Sequence, residues 1–338
     1  MKTLVIRLSS IGDILLTTPV VRCLKKKYPD ATIDFCVFRE YADILRGNPY
    51  ISNIIPVDRS RPLAEAKEQI KSHEIYDCVI DLHNNFRSRT LRRDAGKKIF
   101  VVNKHTFQRW LLVKTKVNLL RSVPNVVGRY FETVAPLGVT DDKQGIDFSG
   151  DISEEKKADL MGGINIGAQL LVGMCPGAKH YTKRWLPERF AELAISLIRD
   201  KNASVVLFGG KDDEGVCAQI YERVNKTFPG RIVDASGKCS LAEVAGAMQA
   251  CDCVVTNDSG LMHVAASQKK PLVAIFGSTV KEFGFAPTSP RSIVVENNNL
   301  RCRPCTHIGR DSCPKGHFKC MVDITAEQVN AAIESALA

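Results

Sequence analysis

Apolar and polar positions come in alternating blocks along this chain. Short runs of β-branched and aliphatic residues recur, each ending in a small or polar turn. The stretches between them place apolar residues at i, i+3 and i+4. Residues 3–8, 32–37, 51–57, 76–82 and 98–102 read as strands. Residues 14–28, 41–45 and 63–72 read as helices, with Pro19 kinking the first. Strand and helix in alternation predict a mainly parallel, doubly wound sheet.

Residues 140–169 have weaker periodicity and read as a linker with a short helix. The alternation then resumes, with strands at 170–174, 204–208, 253–256 and 272–276. Helices are expected at 187–201, 240–250 and 325–337. Pro187 suits a first turn. Ser240 with Glu243, and Thr325 with Gln328, have capping-box spacing. No 20–50-residue repeat interrupts the pattern. The 338 residues suit two α/β domains of about 150 each. They are expected at 1–160 and 161–322, followed by a closing helix at 323–338 that packs back on the first domain.

Composition narrows the class. No run of about 18 apolar residues suggests a membrane span. The opening Met1-Lys2-Thr3-Leu4-Val5-Ile6-Arg7-Leu8 is strand-like and has no leader cleavage pattern, so a cytoplasmic protein is expected. The net charge of +10 points to an anionic partner: nucleotide phosphates, an acidic glycan, a membrane surface or nucleic acid. Of twelve cysteines, eight lie in apolar contexts such as those of Cys36, Cys78 and Cys175, and read as reduced core residues.

The chemistry concentrates at strand ends, where open α/β sheets bind ligands. Asp13, after Ser9-Ser10-Ile11-Gly12, either caps a helix or faces a ligand cleft. Asp258-Ser259-Gly260 with His263 sits at a second strand-to-helix turn, where free N–H groups attract anions. Lys183 and Arg184 lie in a basic loop suited to a pyrophosphate, and Trp185 is placed to lock that loop. Glu214 either accepts ribose hydroxyls or belongs to a polar loop. His83, Asn84 and Arg87 lead into a cluster with Arg89, Arg92, Arg93, Lys97 and Lys98, either an acceptor patch or a solvated face. With Phe86 the only interleaved aromatic, a nucleic-acid site is disfavoured. Cys302, Cys305, Cys313 and Cys320 have the ligand count of a structural metal site but neither a standard zinc nor ferredoxin spacing, so metal binding stays open.

Taken in order along nearly the whole chain, these segments resemble the ADP-heptose:lipopolysaccharide heptosyltransferases of glycosyltransferase family nine. The resemblance rests on residues 6–14, on Pro176-Gly177-Ala178 with Lys183-Arg184-Trp185, on residues 256–266, and on the cysteine-bearing tail. It implies a GT-B fold, two Rossmann-like domains facing a central cleft. It also implies inverting transfer of heptose from ADP-heptose to the inner core of lipopolysaccharide. On that resemblance Asp13 is the general base, and Lys183, Glu214, Asp258, Ser259, Gly260 and His263 hold the donor. His83, Asn84 and Arg87 lie on the acceptor side. No Asp-x-Asp pair stands at a strand end, so no cofactor is expected for catalysis. The partners expected are ADP-heptose, an inner-core acceptor and peripheral contact with the inner face of the membrane, with no nucleic acid. Two other readings remain: a nucleotide-sugar epimerase or a transferase with another donor, and a basic glycan- or nucleic-acid-binding protein without chemistry.

Overall fold

The computed structural model describes residues 1–72, 75–162, 164, 167 and 169–338. They divide into two compact units, one of Met1–Thr106 with Ser122–Phe148, the other of Phe107–Arg121 with Ser149–Ala338. The first unit thus ends before residue 160, and a short excursion from the first half of the chain belongs to the second. The excursion is held there partly by Lys116, whose Nζ donates to the Pro304 carbonyl at 2.6 Å.

The first unit is built on β1 (Lys2–Ile6), β2 (Thr32–Phe38), β3 (Asn53–Val57), β4 (Tyr76–Asp81) and β5 (Gly96–Val101). They form one parallel sheet in the order β3-β2-β1-β4-β5. Register is set from the centre: Val5 of β1 faces Phe35 on one side and Ile80 on the other. These residues are fully buried, as expected for near-continuous apolar strands covered on both faces.

The expected helix at 14–28 is two helices, Ile11–Leu15 and Thr18–Lys27. Pro19 lies in the first turn of the second, where its missing N–H costs nothing. An uninterrupted helix would need that N–H and would press the ring on the Leu15 carbonyl. Instead the Thr18 hydroxyl donates to that carbonyl at 2.8 Å. The buried guanidinium of Arg22, on the second helix, reaches Asp142 at 2.7 Å and also pairs with Asp147. Arg22, with help from Lys26, holds the Asp142 carboxyl well below the ordinary range.

The second unit repeats the theme with β6 (Leu171–Cys175), β7 (Ser204–Leu207), β8 (Ile232–Asp234), β9 (Cys253–Asn257), β10 (Leu272–Phe276) and β11 (Ser292–Glu296). Their order is β11-β10-β9-β6-β7-β8, again all parallel. Helix Pro187–Lys201 turns Phe190, Ala191, Leu193, Ala194, Leu197 and Ile198 inward and stops where Asn202 takes a left-handed φ of 52°. The closing helix Ala326–Leu337 is capped by Thr325 and Gln328, as the spacing predicts. Its buried residues Val329 and Ile333 join the core of the second unit, against Pro187–Lys201 and β9–β11. That apolar stripe is matched by the second sheet's own helix layer.

Candidate functional site

In the first unit, the strand ends gather a small charged cluster. Asp13 is the third residue of helix Ile11–Leu15, and its Oδ2 accepts the Ser10 hydroxyl at 3.0 Å. Its Oδ1 pairs with Arg7 Nη2 at 2.6 Å, with both side chains largely buried. Arg7 is fixed from behind, donating to the carbonyls of Leu82 at 2.6 Å and Ser9 at 2.8 Å. Burial opposes the Arg7 charge, but Asp13, with Tyr130 and Asp81, outweighs it and raises the guanidinium pKa. Asp13 is therefore both a cap and one half of an oriented ion pair.

His83 lies in the same electrostatic neighbourhood. Burial, then the positive charges of Arg7 and Lys104, push its pKa down to about 3. The imidazole is neutral at physiological pH, and its buried Nδ1 has no hydrogen-bond partner among the described residues. The turn carrying it is organised by Asp81 at the end of β4. Asp81 accepts the N–H groups of His83 and Asn84 at 2.9 and 2.7 Å, the Ser88 hydroxyl at 2.9 Å and Arg92 at 2.8 Å. Asn84 is spent on structure, donating to the Val102 carbonyl at 2.9 Å with a φ of 44°.

Arg87 lines a cavity of about 450 Å³ with Phe38, Asp58, Arg59, Arg61 and Phe86. The guanidiniums of Arg59 and Arg87 stand 4.2 and 5.9 Å from the Phe38 ring centre. The basic cluster that follows in sequence does not stay together. Arg92 turns into Asp81, and Lys97 pairs with Asp77 at 2.8 Å.

In the second unit, Lys183 Nζ stands 2.7 Å from Asp258 Oδ2. The same oxygen accepts the Thr279 hydroxyl at 2.6 Å. Ser259 is the N-cap residue of helix Gly260–Ser267, yet its hydroxyl makes no cap bond and is buried without a partner among the described residues. His263 is buried in the same helix. Trp185 locks the preceding loop, as expected. Its backbone N–H reaches Asn257 Oδ1 at 3.0 Å, its indole N–H reaches the Ile324 carbonyl at 3.0 Å, and its ring meets Phe190 edge-on. Asn257 Nδ2 donates to the Pro176 carbonyl at 2.7 Å, tying the ends of β6 and β9 together.

Glu214 opens helix Glu214–Asn225 rather than lying in a loop, and is exposed. It rests against Gly237, whose φ of 68° and lack of a side chain leave room for the carboxylate. Beside it, Asp213 accepts the Gly210 N–H at 3.0 Å and fills the space where Gly177 has no Cβ. Asp213, Asp81 and Thr279 escaped the sequence reading. The signal for Asp81 is a carboxylate ending an otherwise apolar strand. For Asp213 it is a pair of glycines three and four residues upstream.

The cysteine tail holds two different environments. Among the described residues no group of three or more His, Cys, Asp or Glu side chains is arranged to hold a metal. Cys302 Sγ lies 3.8 Å from His317 Nε2, while Cys320 is buried in the core of the second unit, its thiol pushed up to about 12 by burial. The residue doing most there is Arg303. It pairs with Glu296 at 2.8 Å and donates to the carbonyls of Gly277, Thr279 and Asn297 at 2.5, 2.8 and 2.6 Å. It thereby fixes the loop after β10 that carries Thr279. The eight scattered cysteines are reduced, and all but the half-buried Cys239 are buried.

Two parallel α/β sheets of this kind are those of the GT-B fold, shared with solved family 9 glycosyltransferases. The model of glycosyltransferase family 9 (heptosyltransferase) matches residues 65–314. The chain belongs to that family and is an enzyme of the glycosyltransferase class. Lipopolysaccharide heptosyltransferase 2 of Escherichia coli K12 is 29% identical over 342 residues, covering 97% of this chain and 96% of the relative. Among solved structures, a family 9 glycosyl transferase from Veillonella parvula superposes with a TM-score of 0.78 at 26% identity, covering 99% of this chain and 97% of that one. Escherichia coli ADP-heptose lipopolysaccharide heptosyltransferase II gives 0.74 at 25%, covering 100% and 98%.

Proposed function

We propose that this enzyme moves a heptose from ADP-heptose, with inversion, onto an inner-core sugar of lipopolysaccharide at the cytoplasmic face of the membrane. Asp13 is the general base. As the acceptor oxygen forms its bond to the anomeric carbon, the bond from that carbon to the diphosphate breaks. The acceptor proton passes to the Asp13 carboxylate, and ADP leaves with the electron pair. Arg7 holds Asp13 in one orientation and compensates its charge between turnovers. That ion pair at the end of β1 is the observation that most supports the reading.

The donor side falls to the second unit. Lys183 and the N-terminal N–H groups of helix Gly260–Ser267 suit a diphosphate, with the Ser259 hydroxyl available as a further donor. Asp258 keeps Lys183 in place, Glu214 accepts ribose hydroxyls, and His263 supports the helix start. Charge neutralisation by Lys183 and the helix replaces a divalent cation, so no cofactor is assigned. On the acceptor side, the arginine-lined cavity around Arg87 fits an anionic sugar, with His83 and Asn84 shaping its neighbouring turn.

The test is direct: purified enzyme with ADP-heptose and a panel of truncated core acceptors, read by mass spectrometry. A product heavier by one heptose on one acceptor is expected. Product only from other nucleotide sugars, or none from any, overturns the reading.

A further inference from the structure

The second tryptophan behaves unlike the first. Trp185 is fully buried, whereas Trp110 lies on helix Thr106–Thr115 and stacks on Phe107 at the surface, ring centres 6.1 Å apart. Phe107, Trp110, Val117 and Leu119 are 49–64% exposed. They are four of the eleven large exposed apolar side chains among the described residues, packed into thirteen positions. Leu112 and Leu120 are buried and anchor the segment beneath them.

The charge along this segment is one-sided. From residue 95 to residue 131 the chain has no Asp or Glu. Lys104, Arg109, Lys114 and Arg121 fall within or beside this segment, with Lys114 and Arg121 exposed. Exposed aromatics and aliphatics in a segment whose charges are all basic are what an anionic phospholipid surface selects. The rings and aliphatic groups enter the interface, and the cations meet the headgroups. Single-stranded nucleic acid would use the two rings but has no use for Val117 and Leu119.

We propose that residues 106–121 dock this enzyme on an anionic phospholipid bilayer. The proposal rests on the reading of a membrane-borne acceptor, and it assigns a segment to that contact. The experiment uses the whole enzyme and vesicles that carry no acceptor, so its outcome is independent of catalysis. With Trp185 buried, a blue shift of tryptophan emission on adding vesicles reports Trp110. The shift, and cosedimentation, are expected with phosphatidylcholine vesicles containing phosphatidylglycerol, and not with phosphatidylcholine alone. The variant Phe107→Ser/Trp110→Ser should lose affinity in sedimentation by about tenfold or more while keeping transfer to a lipid-free acceptor. Lys114→Glu/Arg121→Glu should lose affinity without removing an apolar group, guarding against a misfolded first variant. Binding unchanged in both variants, or no binding to anionic vesicles, overturns the proposal. So does a concentration-dependent dimer that the first variant abolishes, which assigns the face to a second copy, or preferential binding of a single-stranded oligonucleotide through the same residues.

Discussion

Lys183 Nζ and Asp258 Oδ2 are 2.7 Å apart, in a pair that is mostly buried. The carboxylate is already committed to the Thr279 hydroxyl, so Lys183 is held as a fixed cation at the start of helix Gly260–Ser267. Removing it by Lys183→Ala should weaken ADP binding by about ten- to a hundredfold in calorimetry. Transfer by the wild-type enzyme should persist in EDTA. Unchanged ADP affinity in the variant would remove Lys183 from the donor site, and activity restored only by Mg²⁺ would replace the cationic clamp.

Arg303 supports that arrangement from behind, through four backbone carbonyls and Glu296. Arg303→Met leaves Glu296 buried and unpaired, a change that costs about 3–5 kcal/mol. Urea unfolding should show the loss, and Glu296→Gln in the same chain should recover part of it. A zinc chelator should leave Tm unchanged. A chelator-induced fall in Tm would return a metal to the Cys302–Cys320 segment.

In the first unit, Arg22 joins helix Thr18–Lys27 to Asp142 and Asp147. Arg22→Ala should destabilise the protein by about 1–3 kcal/mol, because it leaves Asp147 without its cation and Asp142 with Lys26 alone, beside a buried void. Denaturant midpoints measure this, and a loss below about 0.5 kcal/mol would mean the bridge is dispensable.

His83 makes stability depend on pH. Its folded pKa, pushed down to about 3 by burial and by Arg7 and Lys104, lies below the unfolded value of about 6.5. Between those values the unfolded chain binds the extra proton. Stability is therefore complete above about pH 6.5 and falls as pH drops toward 3, at up to about 1.4 kcal/mol per pH unit. His83→Gln should flatten that part of the stability curve. An identical slope in the variant would show that His83 is not the titrating group.

Much of this was readable from residue pattern. The helix at Pro187–Lys201 and the capping boxes at Ser240 and Thr325 followed from local chemistry, because the signals lie within one helical turn. So did the strand ends bearing Asp13 and Asp258. What failed was set by distant partners. Arg92 and Lys97 look like part of a free basic patch until Asp81 and Asp77 are brought against them by the sheet. The burial of Cys320 in the core and the hold of Arg303 on the neighbouring loop carry no local signal either. Helices Phe86–Arg92 and Thr106–Thr115 bury only one or two side chains each, so their apolar faces scarcely differ from loops, whereas Val126–Val134 has a clear apolar face that the sequence reading passed over.

Asp13 as base is tested most directly by one comparison: turnover of ADP-heptose onto a competent acceptor by the wild type and by Asp13→Asn, with ADP affinity measured alongside. The amide keeps the shape and can still accept from Ser10, but it cannot take a proton. Turnover should fall by about 10²–10⁴ with ADP affinity unchanged. Near-normal turnover in Asp13→Asn would contradict the mechanism.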